Sequence, residues 1–243
     1  MREPLIFSGR SRPSVRVIGR KPVPGRQASG FGTNALEAVL IETSGNGRAF
    51  EITHAEGWWR DFSEVRIYDE RRVRSFLQQR GDPFGKLAPG KPIDTSEWSS
   101  LILALRMAAS AWSPANTPPR KLEEIPPASD GLSTFHPERR EAAAGFMRAF
   151  PHWTSDLGVT YRDDLLPVVA ARSLAAYMMA AAASSLRAGL NMRRCDYCAS
   201  WFTLHYAPAR CCSVSCGAAM ANKRTSPHAF RAELIHDADA HLG

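Results

Sequence analysis

The amino-acid sequence predicts an α+β protein that is mainly helical, with a small N-terminal α+β unit, a helical middle and a C-terminal zinc finger built as a knuckle plus helix. Three observations predict it. The runs Ala38–Glu42 and Arg48–Thr53 read as strands around Ser44-Gly45-Asn46-Gly47, turn chemistry in which Gly and Asn tolerate positive φ. Apolar residues recur at helical spacing over Leu101–Trp112 and again over Leu166–Leu186. All five cysteines fall between Cys195 and Cys216.

Taken in order, residues 1–33 read as a flexible basic arm, because four prolines and four glycines precede Phe31. A short strand at Val15–Ile18 is the exception. Residues 34–112 form the small α+β unit, with a third strand expected at Glu64–Tyr68 and a helix at Arg71–Arg80 stopped by Gly81 and Pro83. Asp94 followed by Glu97 resembles a capping box ahead of the Leu101–Trp112 helix. Residues 113–137 carry six prolines and read as a linker. Residues 138–190 are expected to be helical, with Glu138–Phe150 closed by Pro151. A long helix would then start near Asp163-Asp164 and Pro167 and stop at Gly189. Residues 191–226 form the cysteine-rich unit, and 227–243 a C-terminal tail or helix.

The chain is 44% hydrophobic and has no apolar run of the roughly 18 residues a membrane span needs. Its first thirty residues lack the apolar core of a secretory signal. The expectation is a cytoplasmic protein with no membrane partner. A tight cysteine cluster in such a chain points to metal rather than disulfides. The formal charge of +7 is unevenly placed. Residues 1–26 and residues 187–231 each carry a net +6, and the rest of the chain is acidic. Either block could attract a polyanion.

Cys195 and Cys198 form a Cys-x2-Cys turn, and Cys212 and Cys216 a Cys-x3-Cys pair thirteen residues further on. Zinc takes four soft ligands at tetrahedral corners. A tight turn offers two thiolates on one side, and positions i and i+4 at the start of a helix offer two on the other. The expected cofactor is one structural Zn2+ held by Cys195, Cys198, Cys212 and Cys216. Ser213 would cap the following helix and Thr225-Ser226-Pro227 would end it. Two alternatives stay open: Cys211 in place of Cys212, and a site of three cysteines and one histidine using His205.

The pattern Cys-x2-Cys, Trp201-Phe202, a basic loop, then Cys212-Ser213-x-x-Cys216-Gly217 and a basic helix resembles the CGNR-type zinc fingers and other short bacterial four-cysteine fingers. The likeness spans about Arg193 to Arg224. Ala218 and Ala219 stand where that family's name places Asn and Arg. The resemblance implies a bacterial transcription regulator that binds DNA.

Arg193, Arg194, Arg210, Lys223 and Arg224 flank the cysteines and are the candidate nucleic-acid contacts, since guanidinium groups pair well with phosphate. Trp201, Phe202 and Tyr206 could stack on bases or pack over the metal core. An acidic protein partner is the alternative to nucleic acid. No enzyme is expected: GxSxG, HExxH and Walker A patterns are absent from the sequence. His54, Glu56, Asp61 and Glu64 beside Trp58-Trp59 make no recognisable catalytic set.

Overall fold

The structure, a computed structural model, describes residues 5–23, 37–53, 57–113, 131–149, 155–206 and 209–225, with side chains up to Asn222. The described residues form three sheets and six helices. The strands are β1 (Leu5–Ser11), β2 (Val15–Pro22), β3 (Glu37–Thr43), β4 (Arg48–Ile52), β5 (Ile93–Asp94), β6 (Trp112–Ser113), β7 (Leu132–Phe135), β8 (Leu157–Tyr161), β9 (Pro167–Ala171), β10 (Met192–Arg194) and β11 (Trp201–Thr203). The helices are α1 (Trp58–Ser63), α2 (Glu70–Arg80), α3 (Ser99–Ala109), α4 (Arg140–Arg148), α5 (Leu174–Ala188) and α6 (Val214–Thr225). None of the described helices is long and apolar enough to cross a membrane.

The content is 39% helix and 30% strand, so the fold is α+β and not mainly helical. The correction comes from two places. Within 1–33, expected to be a flexible arm apart from a short strand at Val15–Ile18, Leu5–Ser11 is a strand too, and the expected strand runs on from Val15 to Pro22. Their hydrogen bonds go to distant partners that local composition does not reveal: β1 pairs with β4 and β9, and β2 with β3. The second place is 157–171. Asp163-Asp164-Leu165-Leu166 is a turn between antiparallel β8 and β9, with Arg162 N–H and Leu166 C=O bonded at 3.1 Å, rather than the start of a helix. The helix begins only at Leu174, where Ser173 Oγ accepts from Ala176 N–H at 3.1 Å. Gly189 ends it in the left-handed region, as expected.

Smaller differences have local causes. Residues 64–68 are not a strand: the N–H groups of Glu64, Val65 and Asp69 close turns onto the carbonyls of Asp61, Phe62 and Arg66, and side chains take other carbonyls. Arg106 donates to the carbonyls of Ser63 and Val65 at 2.7 and 3.0 Å, and Thr95 Oγ1 to that of Ile67 at 3.0 Å. Part of the expected linker is strand β7, while 114–130 lie outside the described residues. The Ser44–Gly47 turn does form, but β3 and β4 leave it for different sheets.

One sheet runs β4-β1-β9-β8, with β1 and β9 parallel. A second runs β2-β3-β5 and a third β11-β10-β7-β6, both antiparallel. A single apolar cluster joins them, from Leu5 and Phe7 through Trp59, Phe62, Trp98, Leu101 and Trp112 to Tyr177 and Trp201. Helix α5 buries Ala175, Ala176, Ala181 and Ala182 completely. These small side chains let α1, α3 and α4 approach it closely.

Candidate metal centre

Strands β10 and β11 form a hairpin whose loop carries Cys195 and Cys198. Cys195 N–H donates to Ser200 C=O, and Ala199 N–H to Cys195 C=O, each at 2.9 Å. Ala199 takes φ 58° to close the turn. A further bond, Asp196 N–H to Arg210 C=O at 3.0 Å, lays the second cysteine segment beside the first. Ser213 Oγ then accepts from Cys216 N–H at 3.2 Å, so the expected cap is present and the first turn of α6 presents Cys216.

The sulfurs of Cys195, Cys198, Cys212 and Cys216 all lie within 4.8 Å of one another. Two pairs, Cys198–Cys212 and Cys212–Cys216, are 3.6 Å apart. Zn–S bonds of about 2.3 Å at tetrahedral angles place sulfurs about 3.8 Å apart. These separations fit one metal ion and are far too long for disulfides; all five cysteines are free. Cys211 and the exposed His205 are not among these four, although Cys211 neighbours Cys195.

The electrostatics match that chemistry. Burial opposes ionisation of Cys195, but backbone N–H donors at Cys198, Cys212 and Tyr197 outweigh it and bring the thiol down to about 6. Burial, with a smaller push from Cys195, raises Cys198, and burial together with Cys216, Cys198 and Cys195 raises Cys212. Four thiols this close cannot all ionise unaided, and a divalent cation held by them would supply the missing positive charge.

The five nominated cations are placed differently from one another. Arg194 faces inward: it pairs with Glu64, donates to Ala199 C=O at 2.8 Å and lies over the Trp201 ring at 4.6 Å. Arg193 is mostly buried, with its guanidinium 3.8 Å from Asp196. Arg210 is exposed and bonds the same carboxylate at 2.6 Å. Lys223 and Arg224 occupy the end of α6, with side chains outside the described set. Trp201 and Phe202 are buried, whereas Tyr206 is exposed.

Sequence reasoning missed the anchor that fixes the knuckle. Asp61 accepts from Trp201 N–H at 3.0 Å, and Glu64 from the Trp201 indole N–H at 2.8 Å. Gly57 sits so near the Trp201 carbonyl that a Cβ there would lie 2.1 Å from its oxygen. Arg60, fully buried, lies 4.8 Å from the Trp201 ring centre and 5.7 and 5.9 Å from those of Trp112 and Trp59. Its Nη2 donates to Ser133 Oγ at 3.1 Å. Burial pulls this guanidinium down to about 10, while Glu64 and Asp61 oppose the shift. Burial also raises the Asp61 carboxyl to about 7, against the Trp201 N–H and the Arg80 charge. Asp61 and Glu64 thus have a structural task. The cue in the sequence was Trp58-Trp59-Arg60-Asp61, charges set directly beside large aromatics. His54 and Glu56 lie outside the described residues.

Compared with protein-family models, with curated proteins and with solved structures, the chain finds no match in any of the three.

Proposed function

We propose that the chain is a zinc-stabilised regulatory protein that binds nucleic acid, DNA in particular, through its C-terminal finger. The observation that carries this reading is the convergence of four sulfurs beside a helix that ends in Lys223 and Arg224. Arg210, Lys223 and Arg224 are the phosphate contacts in this reading, and Arg193 and Arg194 brace the finger. A tetrahedral zinc held by four protein sulfurs has no open position, so its role here is structural, and we assign no catalysis to it. The test is titration of the zinc-loaded full chain with duplex DNA over a range of salt. Affinity is expected to fall steeply with salt, as released counterions require, and to vanish on chelation. Binding that is absent, or indifferent to salt and to R210A/K223A/R224A, overturns the proposal.

A second reading, a zinc-stabilised protein-interaction module, is favoured by one observation. Asp196 draws Arg193 and Arg210 towards itself, while Val214, Tyr206 and Tyr197 stand 91%, 72% and 50% exposed on the finger. Purification free of nucleic acid, with one protein partner retained in stoichiometric amount, would support this reading over the first.

A further inference from the structure

Outside the cysteine cluster, a cavity of about 360 Å³ opens at the carboxyl ends of the parallel strands β1 and β9 and the start of α5. We propose that it binds a small organic anion, an apolar body carrying a phosphate or carboxylate group. The argument begins with charge. Arg10, Arg12, Arg80 and Arg172 line the cavity, against one carboxylate, Asp82. Asp82 is already committed to its own loop, accepting from Leu87 N–H at 2.9 Å and Phe84 N–H at 3.3 Å. None of the four arginines has a carboxylate in ion-pair contact among the described residues.

Arg12 carries the argument furthest. It is only 9% exposed, and its Nη1 donates to the Asn46 carbonyl at 2.6 Å. Its Nε is buried with no hydrogen-bond partner. A guanidinium withdrawn from water without an anion is costly, and an anion in the cavity it lines would offset that cost. Topology adds to the charge. The carboxyl ends of adjacent parallel strands leave a crevice, and the amino end of the following helix is positive. Arg172 and Ser173 make that junction here. Phe7, Phe50 and Phe84 supply an apolar wall, Phe7 and Phe50 meeting edge to face at 5.9 Å. The volume and this mixture of apolar wall and convergent polar groups suit a small molecule.

Arg80 links the cavity to the finger. It lies 4.0 Å over the Trp58 ring and donates to Ser200 Oγ, between Cys198 and Trp201, at 3.0 Å. An anion that engages Arg80 therefore acts one side chain away from the knuckle. The site stands independently of nucleic-acid binding.

The test uses the zinc-loaded full chain at constant ionic strength, titrated with phenyl phosphate, inorganic phosphate and benzoate, with phenol as the uncharged control. Calorimetry follows binding, with tryptophan fluorescence as a second readout to which Trp58, beneath Arg80, contributes. At least one of the anions should saturate one site where phenol does not, and the preferred anion identifies the head group. The exposed Arg10→Ala and Arg172→Ala should each weaken binding about tenfold, as loss of one charge-assisted contact implies, and the double variant should abolish it. Arg210→Ala on the finger should leave it unchanged. The proposal is overturned if no anion saturates in the millimolar range, if R10A/R172A binds like the wild type, or if R210A weakens binding as much as R172A.

Discussion

The body and the finger of this chain are held together by different forces. In the body, Trp59, Trp98, Trp112, Leu101 and Leu105 are wholly or almost wholly removed from water, and the hydrophobic effect suffices to order them. Among the described residues from 195 onward, only Cys195, Trp201 and Phe202 are buried. Two of these three lie in β11, which belongs to a sheet that begins in the body with β6 and β7. The finger is thus half an extension of the body's sheet and half a shell around four sulfurs. The comparison teaches that its first half can stay ordered without metal, while its second half, Arg210 to α6, has little besides coordination to hold it.

The largest effect should come from removing that coordination. Structural zinc in small fingers is worth on the order of 10 kcal/mol of folding free energy. Chelation, or Cys212→Ala, is expected to release one equivalent of metal and to erase hydrogen-exchange protection in α6. Protection in α3 and α5 should survive, and Cys211→Ala should keep the metal. Collapse of all three helices together would show that body and finger are a single cooperative unit.

Next in size is a pH effect at their junction. With a folded-state value near 7 against an ordinary 3.8, the Asp61 carboxyl keeps its proton in the folded chain where the unfolded chain has lost it. Its contribution to stability is full below about pH 4, declines as pH rises towards 7 and is constant above. The decline can reach a few kcal/mol. Asp61→Asn retains an acceptor for Trp201 N–H and should flatten this part of the profile, measured as the wild-type-minus-variant difference in denaturant stability. A difference that rises with pH over the same window would mean that the neighbouring Arg80 and Arg194 hold Asp61 ionised.

Glu64→Gln probes the same junction without a titration. It keeps an acceptor for the Trp201 indole but removes the negative charge facing Arg194 and the buried Arg60. Hydrogen bonds to charged groups contribute about 1.5–3 kcal/mol, and a loss of that order is expected in urea unfolding, with metal content unchanged. Unaltered exchange at Trp201 N–H would place the anchor in Asp61 and Gly57 alone.

The two regions also differ in how far the sequence discloses them. The cysteine cluster was legible because ligand spacing is local: a four-residue turn brings one pair together, and the Ser213 cap with the first turn of α6 the other, Cys212 lying just ahead of the helix. The Ser213 cap and the Gly189 stop were legible for the same reason. Strands β1 and β9 were not, since Leu5 pairs with Val169 across most of the chain, and no window of neighbouring residues contains that information. Asp163-Asp164 with Pro167 imitates a helix start, and the β-branched Val168 and Val169 reveal a strand only once β1 lies beside them. The Asp61–Trp201 bond spans 140 positions and left no trace beyond the clustering of aromatic and charged residues around Trp58.

The smallest effect expected is at Ser213, and it separates local from coordinated order inside the finger itself. Its Oγ accepts from Cys216 N–H, a cap bond worth about 1 kcal/mol at an ordinary helix start. Cys212 and Cys216 grip the same turn through the metal, so a zinc-loaded Ser213→Ala variant should lose less than that, because coordination already fixes the geometry the cap would enforce. In the metal-free chain, where α6 has already lost its protected structure, the same substitution should leave helicity almost unchanged. Circular dichroism of wild type and variant with and without zinc reads the coupling directly. An equal loss in both states would mean that the cap and the metal act independently, and that the second half of the finger has some order of its own.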